Sequence, residues 1–281
     1  MKITVEDFST GYSGIEVLHH LTFSIEKPGI YVVLGKNGAG KTTLFRSITG
    51  MLPPFSGSIA FDGQPLEKSG VGIAYLSHRN SIPVGLTVMQ TMRFFGKIEN
   101  VPEEVVKQVI EDFDLGDIVN KSVTALSQGQ RKRVSLAKSL IGDKPVKILD
   151  EPTANLDPKI SAEIRERITA QSRDSIVLYS SHNLYEATDI GNEVIALNEG
   201  KVVYSGEMSG LSTGSYRIGI RGKGIEGVVQ DYTVEGKYYV FNLRSPSEAA
   251  DLISRLSAAG AQIYEVKDIS NPLERFFDDS S

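Results

Sequence analysis

Ile30-Tyr31-Val32-Val33-Leu34-Gly35-Lys36-Asn37-Gly38-Ala39-Gly40-Lys41-Thr42-Thr43 decides the fold. Gly35 to Thr43 fits G-x-x-x-x-G-K-[ST], a loop whose backbone N–H groups wrap nucleotide phosphates. The context fits as well. Ile30 to Leu34 is a short, β-rich apolar run and reads as a buried strand. Thr42 to Ile48 opens a helix with Leu44, Phe45 and Ile48 on one face. Gly35, Gly38 and Gly40 let the backbone turn successive N–H groups inward, with Lys36, Asn37 and Ala39 between them. Phosphates then sit at the positive end of the following helix. Lys41 reaches the terminal phosphates, the Thr42 hydroxyl takes one Mg²⁺ position, and Thr43 continues the helix.

Working outward, the chain alternates strand and helix patterns on both sides of this loop. Before it, Ile3 to Phe8 and Val17 to Ile25 read as strands, with Gly11 and Gly14 between them. After it, Ser58 to Gly63 is a strand running into a turn, and Val71 to Leu76 is a second buried strand. From about Ser81 to Ile141 the period becomes helical. Val105, Val106, Val109, Ile110 and Phe113 follow i, i+3/i+4 spacing, and Pro102 suits a first helical turn. Strands return at Val146 to Leu149, Ser175 to Ser180 and Glu193 to Leu197. This alternation predicts an α/β fold of the P-loop type. Its core is a parallel or mixed sheet covered by helices, with a helical insertion near residues 80–140.

From about Leu211 the texture changes, which divides the chain into 1–210 and a small α+β unit at 211–281. Ser209 to Gly214 reads as a linker. Tyr216/Ile218/Ile220 and Tyr239/Phe241/Leu243 alternate with period two, as half-buried strands do. Ser245-Pro246-Ser247-Glu248 is a capping box that starts a helix bearing Ala249, Leu252, Ile253, Leu256 and Ala259 on one face, ending at Gly260. A strand near Ile263 to Val266 and a short helix capped by Asn271-Pro272-Leu273-Glu274 complete the unit.

Composition bounds the setting. The 281 residues carry a formal net charge of −5, which argues against a nucleic-acid backbone as the main partner. No stretch approaches the roughly 18 consecutive apolar residues of a spanning helix. The N-terminus lacks a signal-peptide core, so a soluble, cytoplasmic protein is expected, and any membrane work needs another chain for the spanning part. With no cysteine there is no thiolate metal site and no cysteine nucleophile.

Two downstream stretches carry further chemistry. Val146-Lys147-Ile148-Leu149-Asp150-Glu151 is a strand ending in adjacent acids, at the end where α/β proteins bind ligands. Asp150 there can hold Mg²⁺ through water, and Glu151 can polarise a water for attack on the γ-phosphate. Alone, an Asp-Glu pair after a strand reads as a solvated turn; the phosphate loop earlier in the chain changes that reading. Leu126-Ser127-Gln128-Gly129-Gln130 starts a helix running through Val134, Leu136, Ala137 and Leu140. Ser127, Gly129 and Gln130 thus present a hydroxyl and N–H groups at a helix N-terminus, an anion site without a lysine. A chain with its own phosphate loop has no second need of such a site, so it suits a nucleotide held by another subunit.

In order and approximate spacing, these motifs resemble those of ATP-binding-cassette (ABC) ATPases across about residues 1–210. The resemblance adds a D-loop at Ala154-Asn155-Leu156-Asp157 and a switch histidine in Ser180-Ser181-His182-Asn183. It implies that two cassettes pack head to tail, each ATP lying between one phosphate loop and the other chain's signature. His182 would hydrogen-bond the γ-phosphate and the attacking water near Glu151, Asp157 would communicate between the paired sites, and adenine would stack on Tyr12. The implied protein is the ATPase subunit of a membrane transporter, on the cytoplasmic face, with separately encoded transmembrane subunits. Two positions depart from the pattern: Gln128 replaces a commoner glycine, and His78 stands where a glutamine normally links metal and attacking water to the membrane partner. Imidazole can also ligate metal and accept or donate a hydrogen bond. The appendage, with its terminal Asn271-Pro272-Leu273-Glu274-Arg275-Phe276-Phe277, resembles those of drug-, polysaccharide- or sodium-type exporters, which points to export.

Overall fold

The computed structural model describes residues 1–77, 82–154, 156–170, 172–182, 184–209, 216–229, 231–243 and 245–269. The expected linker core and the expected helix after Asn271 lie outside these residues. The chain divides into two units, Met1–Glu207 and Met208–Ser281.

Strands β1 (Ile3–Tyr12) and β2 (Ile15–Ile25) pair antiparallel through a tight turn at Ser13-Gly14. They are followed by β3 (Gly29–Leu34), α1 (Lys41–Ile48), β4 (Ser56–Phe61), β5 (Gln64–Pro65), the single turn α2 (Leu66–Ser69) and β6 (Ile73–Leu76). The helical insertion comprises α3 (Val88–Ile98), α4 (Glu103–Asp112) and α5 (Gln128–Ser139), with 3₁₀ turns at Gly116–Ile118 and Val123–Ala125. Then come β7 (Val146–Leu149), α6 (Pro158–Ala170), β8 (Ile176–Ser181), α7 (Leu184–Ile190), β9 (Glu193–Asn198) and β10 (Lys201–Glu207).

Two sheets share this unit. One is antiparallel, in the order β2-β1-β4-β5; the other runs β10-β9-β3-β8-β7-β6 and is parallel except for the β9–β10 hairpin. β7 and β8 are buried at every position, as expected where both faces of a parallel sheet are covered. Helix α1 shares one core with both sheets: Leu44, Phe45 and Ile48 are fully buried in a cluster with Phe8, Leu18 and Leu21 of the antiparallel sheet and Ile148 and Leu178 of the parallel one. Such side chains contribute roughly 1.5–3 kcal/mol each by leaving water, and they fix the helix that carries the phosphate loop. α4 starts one residue later than the expectation, because Pro102 is extended (φ −61°, ψ 155°) and serves as the N-cap rather than the first helical residue.

The second unit has strands β11 (Tyr216–Lys223), β12 (Thr233–Glu235), β13 (Tyr238–Leu243) and β14 (Gln262–Asp268), with helix α8 (Pro246–Ala258). Its sheet is antiparallel, in the order β12-β13-β11-β14. Ile218, Ile220 and Phe241 pack with Ala249, Leu252 and Leu256 of α8 into a separate small core. Pro246 is at the start of α8, and the Ser245 hydroxyl accepts the Glu248 N–H at 3.3 Å. Short β12 and the hairpin strand β10 were not expected from the sequence.

Candidate nucleotide site

The phosphate loop joins β3 to α1, as its flanking sequences predict. Gly40 has φ +103° and lies so close to Leu18 that a Cβ would come within 2.5 Å of that side chain. The position therefore requires glycine for both backbone conformation and space. A cavity of about 420 Å³ opens over the loop, bordered by Asn37, Gly38, Gly40, Lys41, Thr42 and Glu151. Lys41 is buried, and its ammonium donates to the carbonyls of Gly35 at 2.7 Å and Lys36 at 3.3 Å. Burial lowers the Lys41 pKa, while Glu151 and Asp150 oppose that shift.

The acidic pair meets this loop from β7. Thr42 Oγ1 donates to Asp150 Oδ2 at 2.8 Å, across 108 residues of sequence. Ser180 Oγ donates to the other carboxylate oxygen of Asp150 at 2.8 Å and accepts the Glu151 N–H at 2.8 Å. Glu151 Oε1 lies 3.9 Å from Lys41 Nζ and 3.6 Å from His182 Nδ1. Lys41, Thr42, Asp150, Glu151 and His182 thus converge from three separate elements. Thr42 and Asp150 provide adjacent hard oxygen donors, and Mg²⁺ needs only one or two protein carboxylates when phosphates complete its shell. They fit that ion, whereas no group of three or more acidic or histidine ligands occurs among the described residues.

Other expected residues lie apart from this cluster. The Tyr12 ring is partly exposed beside α1, where Arg46 Nη1 donates to its hydroxyl at 3.0 Å. Ser127 caps α5 in a reciprocal capping box. Its hydroxyl accepts the Gln130 N–H at 3.3 Å, and Gln130 Oε1 accepts the Ser127 N–H at 3.2 Å. Neither Ser127, Gly129 nor Gln130 borders the phosphate-loop cavity of its own chain. Gly129 instead faces Leu156 and Ile160, bringing the signature beside the D-loop. Asp157 caps α6, its carboxylate accepting the Lys159 N–H at 2.9 Å. His78, Asn155 and Asn183 lie outside the described residues.

Three residues not singled out from the sequence support the cluster. Ser180 holds both acids. Glu186, on α7, accepts from Tyr179 at 2.7 Å, Ser181 at 2.6 Å and the Thr153 hydroxyl, tying the turn after Glu151 to the strand leading to His182. Lys132, on α5, donates to the Glu151 carbonyl at 2.9 Å, and burial lowers its pKa to about 8 against the opposing pull of Asp150 and Glu151. The available signal for Lys132 was its place among Val134, Ser135, Leu136 and Ala137, a lysine on an otherwise buried helix face.

A phosphate loop between β3 and α1, an acid pair at the end of β7 and a separate helix-capping serine together define an ABC-type ATPase. The ABC transporter family model matches residues 18–154. The chain is 32% identical over 224 residues to the ABC transporter ATP-binding protein NatA of Bacillus subtilis, covering 74% of this chain and 91% of that one. It is 32% identical over 184 residues to the cytochrome c biogenesis ATP-binding export protein CcmA of Brucella abortus, covering 65% and 86%. Among solved structures, cbiO1 from Clostridium perfringens, part of the ABC transporter complex cbiONQ, superposes with a TM-score of 0.63 at 28% identity, over 74% of this chain and 89% of that one. The chain belongs to the ABC transporter family. It is an ATP-binding subunit, with ATPase activity, of a membrane transporter. No helix among the described residues is long and apolar enough to cross a membrane.

Proposed function

We propose that this chain powers an exporter by ATP-driven pairing of two cassettes, working on the cytoplasmic face beside separately encoded transmembrane subunits. The observation that carries the paired-cassette reading is that the signature helix start is exposed and borders no phosphate cavity of its own chain. A second cassette would present its Ser127, Gly129 and Gln130 to this chain's nucleotide, with Asp157 at the junction. The export direction draws on the resemblance of the appendage to exporter cassettes and on the word export in the name of CcmA. That cbiO1 is part of the ABC transporter complex cbiONQ offers a precedent for a cassette that works within a larger complex.

In this reading the N–H groups of Gly35 to Thr43, with Lys41, hold the phosphates, and the exposed face of Tyr12 takes the adenine. Thr42 and Asp150, already 2.8 Å apart, would hold Mg²⁺, with His78 a further candidate from the sequence alone. That ion would neutralise charge on the β- and γ-phosphates. Glu151 orients and polarises water, accepting its proton as the water attacks. His182, 3.6 Å from the same carboxylate, hydrogen-bonds the γ-phosphate and keeps that water in line.

Glu151→Gln tests the pairing, because it removes the carboxylate while keeping its shape. With ATP and Mg²⁺ this variant should elute as a dimer and hydrolyse ATP at least 100-fold more slowly than the parent, the order seen when one positioned proton acceptor is lost. A Glu151→Gln protein that binds ATP and stays monomeric would refute the shared site.

A further inference from the structure

Lys132 is buried to within 4% of full coverage, yet it carries the most hydrophilic kind of side chain on α5. Burying an ammonium is costly unless it is partnered. Its partner is the main-chain oxygen of Glu151, which also accepts the Ala154 N–H at 3.3 Å. Glu151 has φ +47°, a backbone conformation that residues with a Cβ adopt rarely and hold only when their surroundings impose it. The surroundings here are identifiable. Ser180 of β8 grips the Glu151 N–H, and Lys132 of α5 grips its carbonyl.

The second grip comes from the helix that begins at the signature. Lys132 lies five positions after the cap Ser127, so a displacement of the helix start is carried along a rigid element to the ammonium. We propose that Lys132 is a positioning residue that couples the signature end of α5 to the backbone of Glu151 in the same chain. A nucleotide seated against Ser127 and Gln130 would thereby orient the carboxylate that acts on the other nucleotide. This rests on the paired-cassette reading and adds to it an internal link between the two sites. It assigns the link to one hydrogen bond, and it explains why an ammonium is retained where an apolar side chain would pack.

The test is steady-state ATP hydrolysis by the full chain, with ATP affinity and thermal midpoint measured on every variant. Lys132→Met keeps length and removes the donor; Lys132→Arg keeps a charged donor. Misplacing a reacting group by about 1 Å can cost 100-fold, so Lys132→Met should lower kcat by roughly 10- to 100-fold. KM for ATP and the midpoint should hold or improve, and Lys132→Arg should recover most of kcat. In a cycle with Ser127→Ala, the double variant should lose little more than Ser127→Ala alone, because both changes cut one link. The proposal is overturned if folded Lys132→Met keeps kcat within about twofold of the parent, which is the scale of ordinary surface substitutions. It is equally overturned if the two losses multiply in full, or if folded Lys132→Arg fails to recover kcat above the Lys132→Met level. The shared-site reading fails separately. Ser127→Ala without effect in the parent would remove that reading, whereas an inert Lys132→Met beside a damaging Ser127→Ala would remove only the role of Lys132.

Discussion

Replacing Lys132 by methionine should make the nucleotide-free protein more stable at neutral pH, and the gain should vanish in alkali. The Lys132 pKa falls from 10.5 to about 8, with burial as the first cause and Asp150 and Glu151 opposing it. A drop of that size corresponds to a cost on the order of 3 kcal/mol for the buried charge. The hydrogen bond to the Glu151 carbonyl offsets roughly 1 kcal/mol of this, so Lys132→Met should gain about 2 kcal/mol. At 2–4 °C per kcal/mol for a unit of this size, the midpoint rises by roughly 4–8 °C.

The pH window follows from the direction of the shift. Below about pH 8 both folded and unfolded Lys132 carry the proton, and the parent bears the whole cost of the buried charge. Between about 8 and 10.5 the folded parent releases the proton while the unfolded chain keeps it, so the parent gains stability as pH rises. Methionine has no such titration. The difference between variant and parent should therefore be flat below about pH 8 and shrink above it. Urea unfolding followed by circular dichroism at pH 7, 8, 9 and 10 measures it, and other titrating groups cancel in the difference. A less stable Lys132→Met at pH 7, or a difference unchanged up to pH 10, would show that Lys132 is hydrated or better partnered than its burial implies.

Other outcomes follow from the same geometry. Lys41→Ala removes the ammonium that borders the phosphate cavity and should weaken ATP binding at least tenfold, read by fluorescent-nucleotide titration, since hydrogen bonds to charged groups contribute about 1.5–3 kcal/mol. Asp150→Asn should raise the Mg²⁺ concentration needed for half-maximal hydrolysis, because one of the two oxygen donors 2.8 Å apart becomes neutral. An unchanged Mg²⁺ requirement would place the ion elsewhere. Ending the chain after Glu207 should leave ATP affinity within about twofold, as no residue bordering the phosphate cavity lies beyond that point. Leu252→Ala should destabilise the second unit by about 2–5 kcal/mol in chemical unfolding and leave ATP affinity alone, because Leu252 belongs to the separate core around Phe241 and Leu256.

The strand–loop–helix around Lys41, the acid pair at Asp150 and Glu151, and the capped helix at Ser127 were legible in the sequence, because each depends on neighbours within about a dozen residues. A run such as Ile30 to Leu34 can be read as a buried strand without knowing what buries it, and a Gly-rich loop closes on its own backbone. The same holds for Ser245 and Pro246, whose cap is local. Tertiary structure alone decided the pairing of these pieces. Nothing near Thr42 announces that its hydroxyl meets Asp150, and nothing near Glu151 announces that Ser180 and Lys132 hold its two peptide groups. Those contacts arise because parallel pairing of β7 with β8 and of β3 with β8 brings strand ends from distant segments to one edge. The strands β10 and β12 escaped for a related reason: β12 has only three residues and β10 shows no strict alternation of burial, so both owe their form to the strands beside them. Local chemistry is written in the order of residues, but which charges must share a buried edge is settled only when the sheet closes over them.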